Sequence, residues 1–239
     1  MKKSELSEIE SKLDNLLQDK NSTHGLQRAV RNLNKELQIY KNHLDGSENL
    51  DFKIKGKVQI GGGRHPKKGY LNIDIFPPAD VIYDIREGIP LKNDSVSFIF
   101  NEHFLEHLDY PISVKKVIKE CLRVLKPGGK LVIGVPDGGN AIQKYVKQDK
   151  KFFKKMLETW YKGRKNLKDF NTYIDLVNYI FRDQDDDDTF TPHLWAYDLE
   201  KLQSLMFEAG FSKAKKWKFD PTIAREKREW ASVYVEGVK

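Results

Sequence analysis

The sequence predicts the α/β class: a doubly wound, mostly parallel seven-stranded sheet with an N-terminal helical arm. Three observations carry this expectation. From Lys57 onward, short β-branched runs alternate with turns and amphipathic helical stretches. Within KVQIGGGRHPKKGYLNIDI, three consecutive glycines stand between two runs that each read as a buried strand. Ahead of both, apolar residues recur at steps of 3 and 4 through the first 44 residues.

The arm is assigned to residues 1–50. Leu6, Ile9, Leu13 and Leu16 form one apolar seam; Leu26, Val30, Leu33, Leu37, Tyr40 and Leu44 form a second, and the register breaks near Gly25. Two readings stand: a helix pair packed on its own domain, or a coiled coil that makes a homodimer through Leu33, Leu37 and Leu44. Residues 51–239 form the second unit. Strands are expected at 57–60, 70–75, 79–83, 96–100 and 130–135. Between the last two, Val114, Val117, Ile118, Cys121, Leu122 and Leu125 share one helical face, which Pro127-Gly128-Gly129 terminates. Cys121 is therefore a core residue. An insertion at about 140–190 contains KKFFKKMLETWYKGRK, a basic amphipathic helix with Phe152, Phe153, Met156, Leu157, Trp160 and Tyr161 on one face. It is read as a substrate lid, with an anionic lipid surface or RNA as alternative contacts. The run DQDDDD at 183–188 lacks interleaved ligands or a turn glycine and reads as solvated loop, not a metal site. Asp198 caps a helix that ends at Gly210, and a strand and the final strand WASVYVEGV follow.

Composition narrows the partners. The 239 residues carry 42 basic and 35 acidic side chains, a net charge of +7, which favours anionic ligands such as nucleotides, phosphorylated sugars or RNA. A single cysteine excludes an intramolecular disulfide framework. No apolar run approaches the roughly 20 residues needed to cross a bilayer, and no apolar stretch follows the N-terminal lysines. The expectation is a cytoplasmic protein, with peripheral membrane contact still open.

In such a sheet, ligands sit beyond the C-terminal strand ends. A glycine turn after the first strand admits a nucleotide-like ligand, and an acid ending the second can accept from ribose hydroxyls. Five segments occur in order: IGGG, NIDI, DVIYDIREGIPLKNDSVSFIF, NEHFLEHL and VLKPGGKLVIGVPD. Together they resemble the class I S-adenosylmethionine-dependent methyltransferases, Rossmann-like enzymes, and within them a branch of small methyltransferases often linked to glycan and cell-surface polysaccharide pathways. The resemblance covers 57–139 and, more loosely, 190–236.

What the resemblance implies is a cofactor, S-adenosyl-L-methionine, held by Gly61, Gly62 and Gly63, with Asp74 and Ile75 at its ribose, Asp84 and Ile85 at its adenine and Asn101 near the methyl group. Many members carry an acid two positions before the first glycine; here the residue is Gln59, which attracts the sulfonium less strongly. Only ten residues, 61–70, separate the first two strands, too few for the usual crossover helix. Displacement at a sulfonium requires an aligned nucleophile, and a hydroxyl acceptor also requires a base. His193, His103, Asp137 and His107 are the candidates. His193 leads because Trp195 and Tyr197 beside it can shape an acceptor pocket, and Arg225 and Arg228 are candidates for an anionic acceptor. The expected activity is O-methylation of a sugar or glycan-precursor hydroxyl. The alternatives are methylation of RNA or another small metabolite, and an inactive methyltransferase-like scaffold.

Overall fold

The computed structural model describes residues 3–48, 56–162, 167–182 and 192–239. The polar gap in the arm separates α1 (Lys3–Gln18) from α2 (His24–Ser47). The Thr23 hydroxyl caps α2 by accepting from the Leu26 N–H at 3.3 Å. Leu6 and Leu13 of α1 and Val30 and Ile39 of α2 are buried, and Lys41 pairs with Glu10 across the two helices at 2.9 Å. The two helices therefore pair as an intramolecular hairpin, but of the second seam only Val30 is buried, Ile39 outside that seam takes part instead, and Leu26, Leu33 and Tyr40 are 42%, 47% and 37% exposed.

Seven strands form one sheet: β1 (Lys57–Ile60), β2 (Leu71–Asp74), β3 (Val81–Ile82), β4 (Val96–Glu102), β5 (Leu125–Pro136), β6 (Lys213–Lys216) and β7 (Ser232–Val238). Their order is β3-β2-β1-β4-β5-β7-β6. The first five run parallel, and β7 is antiparallel to both β5 and β6. From β1 the chain builds outward to β2 and β3, then returns to β4 on β1's other side. This reversal opens a crevice beyond the carboxyl ends of β1 and β4.

Alternation of side chains fills the two faces differently. Val58, Ile60, Leu71, Ile73, Ile99 and Leu131 pack under α3 (Ile112–Val124) and α7 (Leu199–Ala209). Phe100, Val132 and Tyr234 point the other way, against Tyr70, Trp217, Phe219 and Ala224. The connections 61–70 and 75–80 hold no helix, so where they run the second face is covered by loops. The doubly wound expectation is corrected to that extent: connections of ten and six residues are too short for helical crossovers.

Cys121 lies on the core face of α3, where burial pushes its thiol up to about 12. Its helix ends at Val124, and Pro127-Gly128-Gly129 form a bulge inside β5 instead of a loop before it. Leu125 pairs with Val96 and Lys130 with Phe98, so five residues of β5 advance against two of β4. Gly128 takes φ +75°, open to glycine at little cost.

The insertion supplies α4 (Gly138–Val146), α5 (Lys150–Thr159) and α6 (Tyr173–Arg182). Phe152, Phe153 and Met156 of α5 meet Leu176, Val177 and Ile180 of α6 in a separate apolar cluster, which makes these helices a cap beside the sheet. The acidic run 183–188 lies outside the described residues. Among the described residues, no helix is long and apolar enough to cross a membrane.

Candidate functional site

A cavity of about 340 Å³ opens where β1 and β2 end, lined by Ile60, Gly61, Ile73, Asp74 and Ile75, and beyond them by Tyr83, Asp84, Ile85 and Arg86. Phe104, His107, Leu108, Asp109 and Leu194 close another side. Glu36 and Ile39 of α2 complete the wall. The arm is thus part of this site, which the sequence did not disclose. Three contacts hold it there. The Asn42 amide donates to the Ile75 carbonyl at 2.8 Å, the His43 ring meets Tyr83 edge-on at 4.4 Å, and Glu36 pairs with Arg86 at 2.8 Å.

Gly61 sits at φ +68°, and a Cβ there would come within 2.3 Å of the Phe104 ring. The close approach that glycine permits is therefore made first by the chain itself. Gly63 takes φ +53° and its N–H donates to Asp74 Oδ2 at 2.8 Å, while Phe76 N–H donates to Oδ1 at 3.1 Å. These bonds aim the carboxylate at the cavity mouth and leave each oxygen with acceptor capacity. Gly62 does not line the cavity; a Cβ there would lie 2.9 Å from the Gln59 amide.

Gln59 is buried and turned away from the cavity. Its Oε1 accepts from Lys67 N–H at 2.7 Å and its Nε2 donates to the His65 carbonyl at 3.3 Å, pinning the loop that replaces a crossover helix. The Asp84 carboxylate is held by the Arg86 guanidinium at 2.7 to 3.0 Å. Asn101 is buried at the end of β4, and its Oδ1 has no hydrogen-bond partner among the described residues. Gly61, Asp74, Ile75, Asp84 and Ile85 thus share one cavity, and Gly62, Gly63 and Asn101 stand outside its lining.

A second, smaller cavity of about 190 Å³ is lined by His103, Pro136, Thr159, Trp160, Tyr179, His193, Lys227 and Arg228. Trp160 and Tyr179 come from the cap, and the histidines from the β4 end and from the segment before α7. Between the two cavities stands Glu106, 1% exposed, whose carboxylate oxygens, apart from its own backbone N–H, both lack a hydrogen-bond partner among the described residues. Burial pushes its pKa up to about 8. His103 Nδ1 lies 3.7 Å and His193 Nε2 3.9 Å from Glu106 Oε1, and the His107 ring meets His193 edge-on at 4.9 Å. His103 is held well below its ordinary pKa, by burial first and then by the Arg228 charge, so it is neutral near pH 7. Its φ of +54° is unusual for a side-chain-bearing residue and marks a position held by its surroundings.

His193, His103 and His107 are therefore brought together around Glu106, to which sequence reasoning assigns no role beyond its place in NEHFLEHL. Asp137 is not brought to them. It caps α4 by accepting from Asn140 N–H at 2.9 Å and lines a separate, open polar depression with Asp198, Lys216 and Trp230, where burial raises its pKa. Arg228 reaches the second cavity but is tied to the Glu102 carboxylate at 3.2 Å, and Arg225 donates to His65 Nε2 at 3.1 Å. Arg228 is thus already met by a carboxylate, and Arg225 lies outside the lining of both cavities.

Residues 70–133 match the family model described as a methyltransferase domain. An uncharacterized protein of Methanocaldococcus jannaschii is 31% identical over 131 residues, which is 48% of this chain and 62% of that protein. The chain thus spans less than two thirds of that relative's length. Among solved structures, a SAM-dependent methyltransferase from Methanosarcina mazei superposes with TM-score 0.46 at 16% identity, covering 77% of this chain and 91% of that one. A SAM-dependent methyltransferase from Thermotoga maritima, described as a possible histamine N-methyltransferase, gives 0.44 at 18% identity, covering 90% and 99%. At these scores the likenesses carry no argument about activity.

Proposed function

We propose that this chain, whose 70–133 segment carries the methyltransferase match, transfers a methyl group from S-adenosyl-L-methionine to a hydroxyl acceptor. The observation that carries the reading is the larger cavity. It lies at the topological switch point, with a glycine turn at one end of its lining and the Asp74 carboxylate aimed by two backbone donors. Gly61 and Asp74 hold the methionine and ribose parts of the cofactor. Tyr83, Ile85 and Ile39 offer the apolar surface an adenine ring requires.

The acceptor belongs in the smaller cavity, on the far side of the Glu106 cluster. A sugar or glycan-precursor hydroxyl is the favoured acceptor. Trp160 and Tyr179 offer flat faces for the apolar side of a sugar ring, and His103 and His193 offer polar groups for its hydroxyls. His103, bonded to Ser232 Oγ at 2.8 Å, and His193 are the imidazoles placed at this cavity to receive the acceptor's proton. With Gln59 turned to the 64–67 loop, the inactive-scaffold alternative loses its motive, since that residue has no part in the cavity lining.

Calorimetric titration with S-adenosylhomocysteine tests the cofactor half of the reading. One site per chain is expected, weakened by about 1.5–3 kcal/mol in Asp74→Ala, the scale of a hydrogen bond to a charged group. Asp74→Ala with unchanged affinity sinks the assignment. Gly61→Val is not a clean probe, because its side chain collides with Phe104 before any ligand arrives. Radiolabelled methyl transfer to a panel of sugars and nucleotide sugars tests the acceptor half. His193→Ala should slow turnover 10²- to 10⁴-fold while cofactor affinity stays within about threefold.

A further inference from the structure

Around Glu106 the hydrogen bonding is incomplete in a specific way. One ligand-type atom from each of Glu106, His107 and His193 lies within 4.8 Å of the others. The carboxylate is fully buried, and apart from its own backbone N–H neither oxygen has a hydrogen-bond partner among the described residues. Such a group is costly unless something compensates it.

The imidazoles are oriented from behind. His193 Nδ1 donates to the Ile180 carbonyl at 3.1 Å, and His107 Nδ1 lies 3.4 Å from the Pro192 carbonyl. A carbonyl can only accept, so Nδ1 of His193 is a donating nitrogen, and its Nε2 lies 3.9 Å from Glu106 Oε1. A backbone carbonyl behind the ring is the arrangement that orients metal-ligating histidines. His103 is set similarly, with Nε2 on Ser232 Oγ and Nδ1 towards the same oxygen.

The distances discriminate between a proton and an ion. At 3.7 and 3.9 Å, the nitrogen–oxygen separations are too long for hydrogen bonds, so a proton on Glu106 does not knit the cluster. Ligands bonded at about 2.0–2.1 Å to a tetrahedral ion stand about 3.3 Å apart. Closure by about 0.6 Å brings the His193–Glu106 pair from 3.9 Å to that spacing, and a pair at the 4.8 Å limit of the three-atom group would close by about 1.5 Å.

We propose that Glu106, His107 and His193 bind a divalent transition-metal ion of the zinc, iron(II) or manganese class, with His103 placed to join them. Two imidazoles and one carboxylate leave at least one coordination position open. His193 and His103 border the smaller cavity and His107 the larger one, so the ion stands in the wall between them. An acceptor hydroxyl ligated there is acidified, so that with both imidazoles engaged as ligands its proton passes to solvent in the smaller cavity. Metal binding itself is independent of the methyl-transfer reading and is measured without turnover.

The test begins with chelator-stripped full-length protein titrated with Zn²⁺, and in parallel with Co²⁺ as a spectroscopic probe and with Mn²⁺. One ion per chain is expected, with affinity lowered at least 100-fold in Glu106→Gln and in His193→Gln and unchanged in the surface control Glu8→Gln. X-ray absorption of the zinc-loaded wild type should show two or three imidazoles and oxygen at about 2.0–2.1 Å; this arm needs no variant and decides the matter if the substituted chains fail to fold. Absence of stoichiometric binding of all three ions overturns the proposal. So does equal affinity in both variants, or a zinc shell without imidazole. S-adenosylhomocysteine binding that survives loss of metal binding leaves the methyltransferase reading standing alone.

Discussion

Glu106 is where a single residue most shapes the behaviour of the chain. Its pKa is raised by burial and, least strongly, by the nearby Glu102, while its own backbone N–H and then Arg228 lower it; His103 and His193 face the same carboxylate. The sign for metal-free protein follows from linkage. Below the unfolded value of 4.5 both states hold the proton and Glu106 contributes nothing. Between 4.5 and about 8 the unfolded chain releases the proton while the folded one keeps it, so stability falls as pH rises, and it levels off above. Urea unfolding in chelator should show this slope in wild type and a weaker one in Glu106→Gln. Identical pH profiles would mean that the carboxyl is not held protonated. At this scale the places of Gly61 and Asp74 at the carboxyl ends of β1 and β2 were legible, because a glycine turn and a strand-end acid leave local signatures. The sequence did not disclose the orphaned carboxylate, because burial without partners is a property of packing. Gln59 misled for the same reason: side-chain direction on a strand follows the face it occupies, and that face holds the 64–67 loop.

Among the elements, α2 is the one whose position the sequence left undecided. Its apolar stripe is equally compatible with a partner chain and with a fold-back, and only the contacts of Asn42, His43 and Glu36 place it over the larger cavity. Two glycines on this helix give opposite expectations. A Cβ at Gly46 would stand 1.6 Å from the Ile82 carbonyl oxygen of β3, a backbone atom with no freedom to yield. Gly46→Ala should therefore push α2 off the sheet edge, destabilise the fold by about 1–3 kcal/mol and weaken S-adenosylhomocysteine binding. Gly25 near the start of the same helix has nothing within 4 Å of its Cβ position. Gly25→Ala should leave affinity alone and stabilise by up to about 1 kcal/mol through lower unfolded-state entropy. Thermal unfolding with and without ligand measures both. A Gly46→Ala chain with wild-type stability and affinity would show that α2 does not bear on the cavity. Periodicity did place the helix around Asp198 and Gly210, since cap and αL terminator are written in adjacent residues.

On the scale of the molecule, the larger cavity draws its walls from residues as far apart as Glu36 and Leu194, so its occupant should act on the whole chain. The strand positions were legible because each β-branched run is bounded by turns, whereas the strand order and the convergence of arm, sheet end and pre-α7 segment come from tertiary packing. A ligand that binds only the folded state stabilises it by RT ln(1 + [L]/Kd), about 2.7 kcal/mol at a hundredfold excess over Kd. For a chain of this length, each kcal/mol moves the midpoint by about 2–4 °C, so S-adenosylhomocysteine at that excess should raise Tm by about 5–10 °C. Weakened by about 1.5–3 kcal/mol, Asp74→Ala should lose about half or more of that shift at the same ligand concentration, measured from its own unliganded Tm. NAD at equal concentration is the discriminating control, since the glycine turn and strand-end acid also suit a dinucleotide. The 340 Å³ volume fits one nucleoside with a short tail better than two nucleotides. A shift with NAD and none with S-adenosylhomocysteine would reassign the cavity to a dinucleotide and remove the methyl donor from this fold.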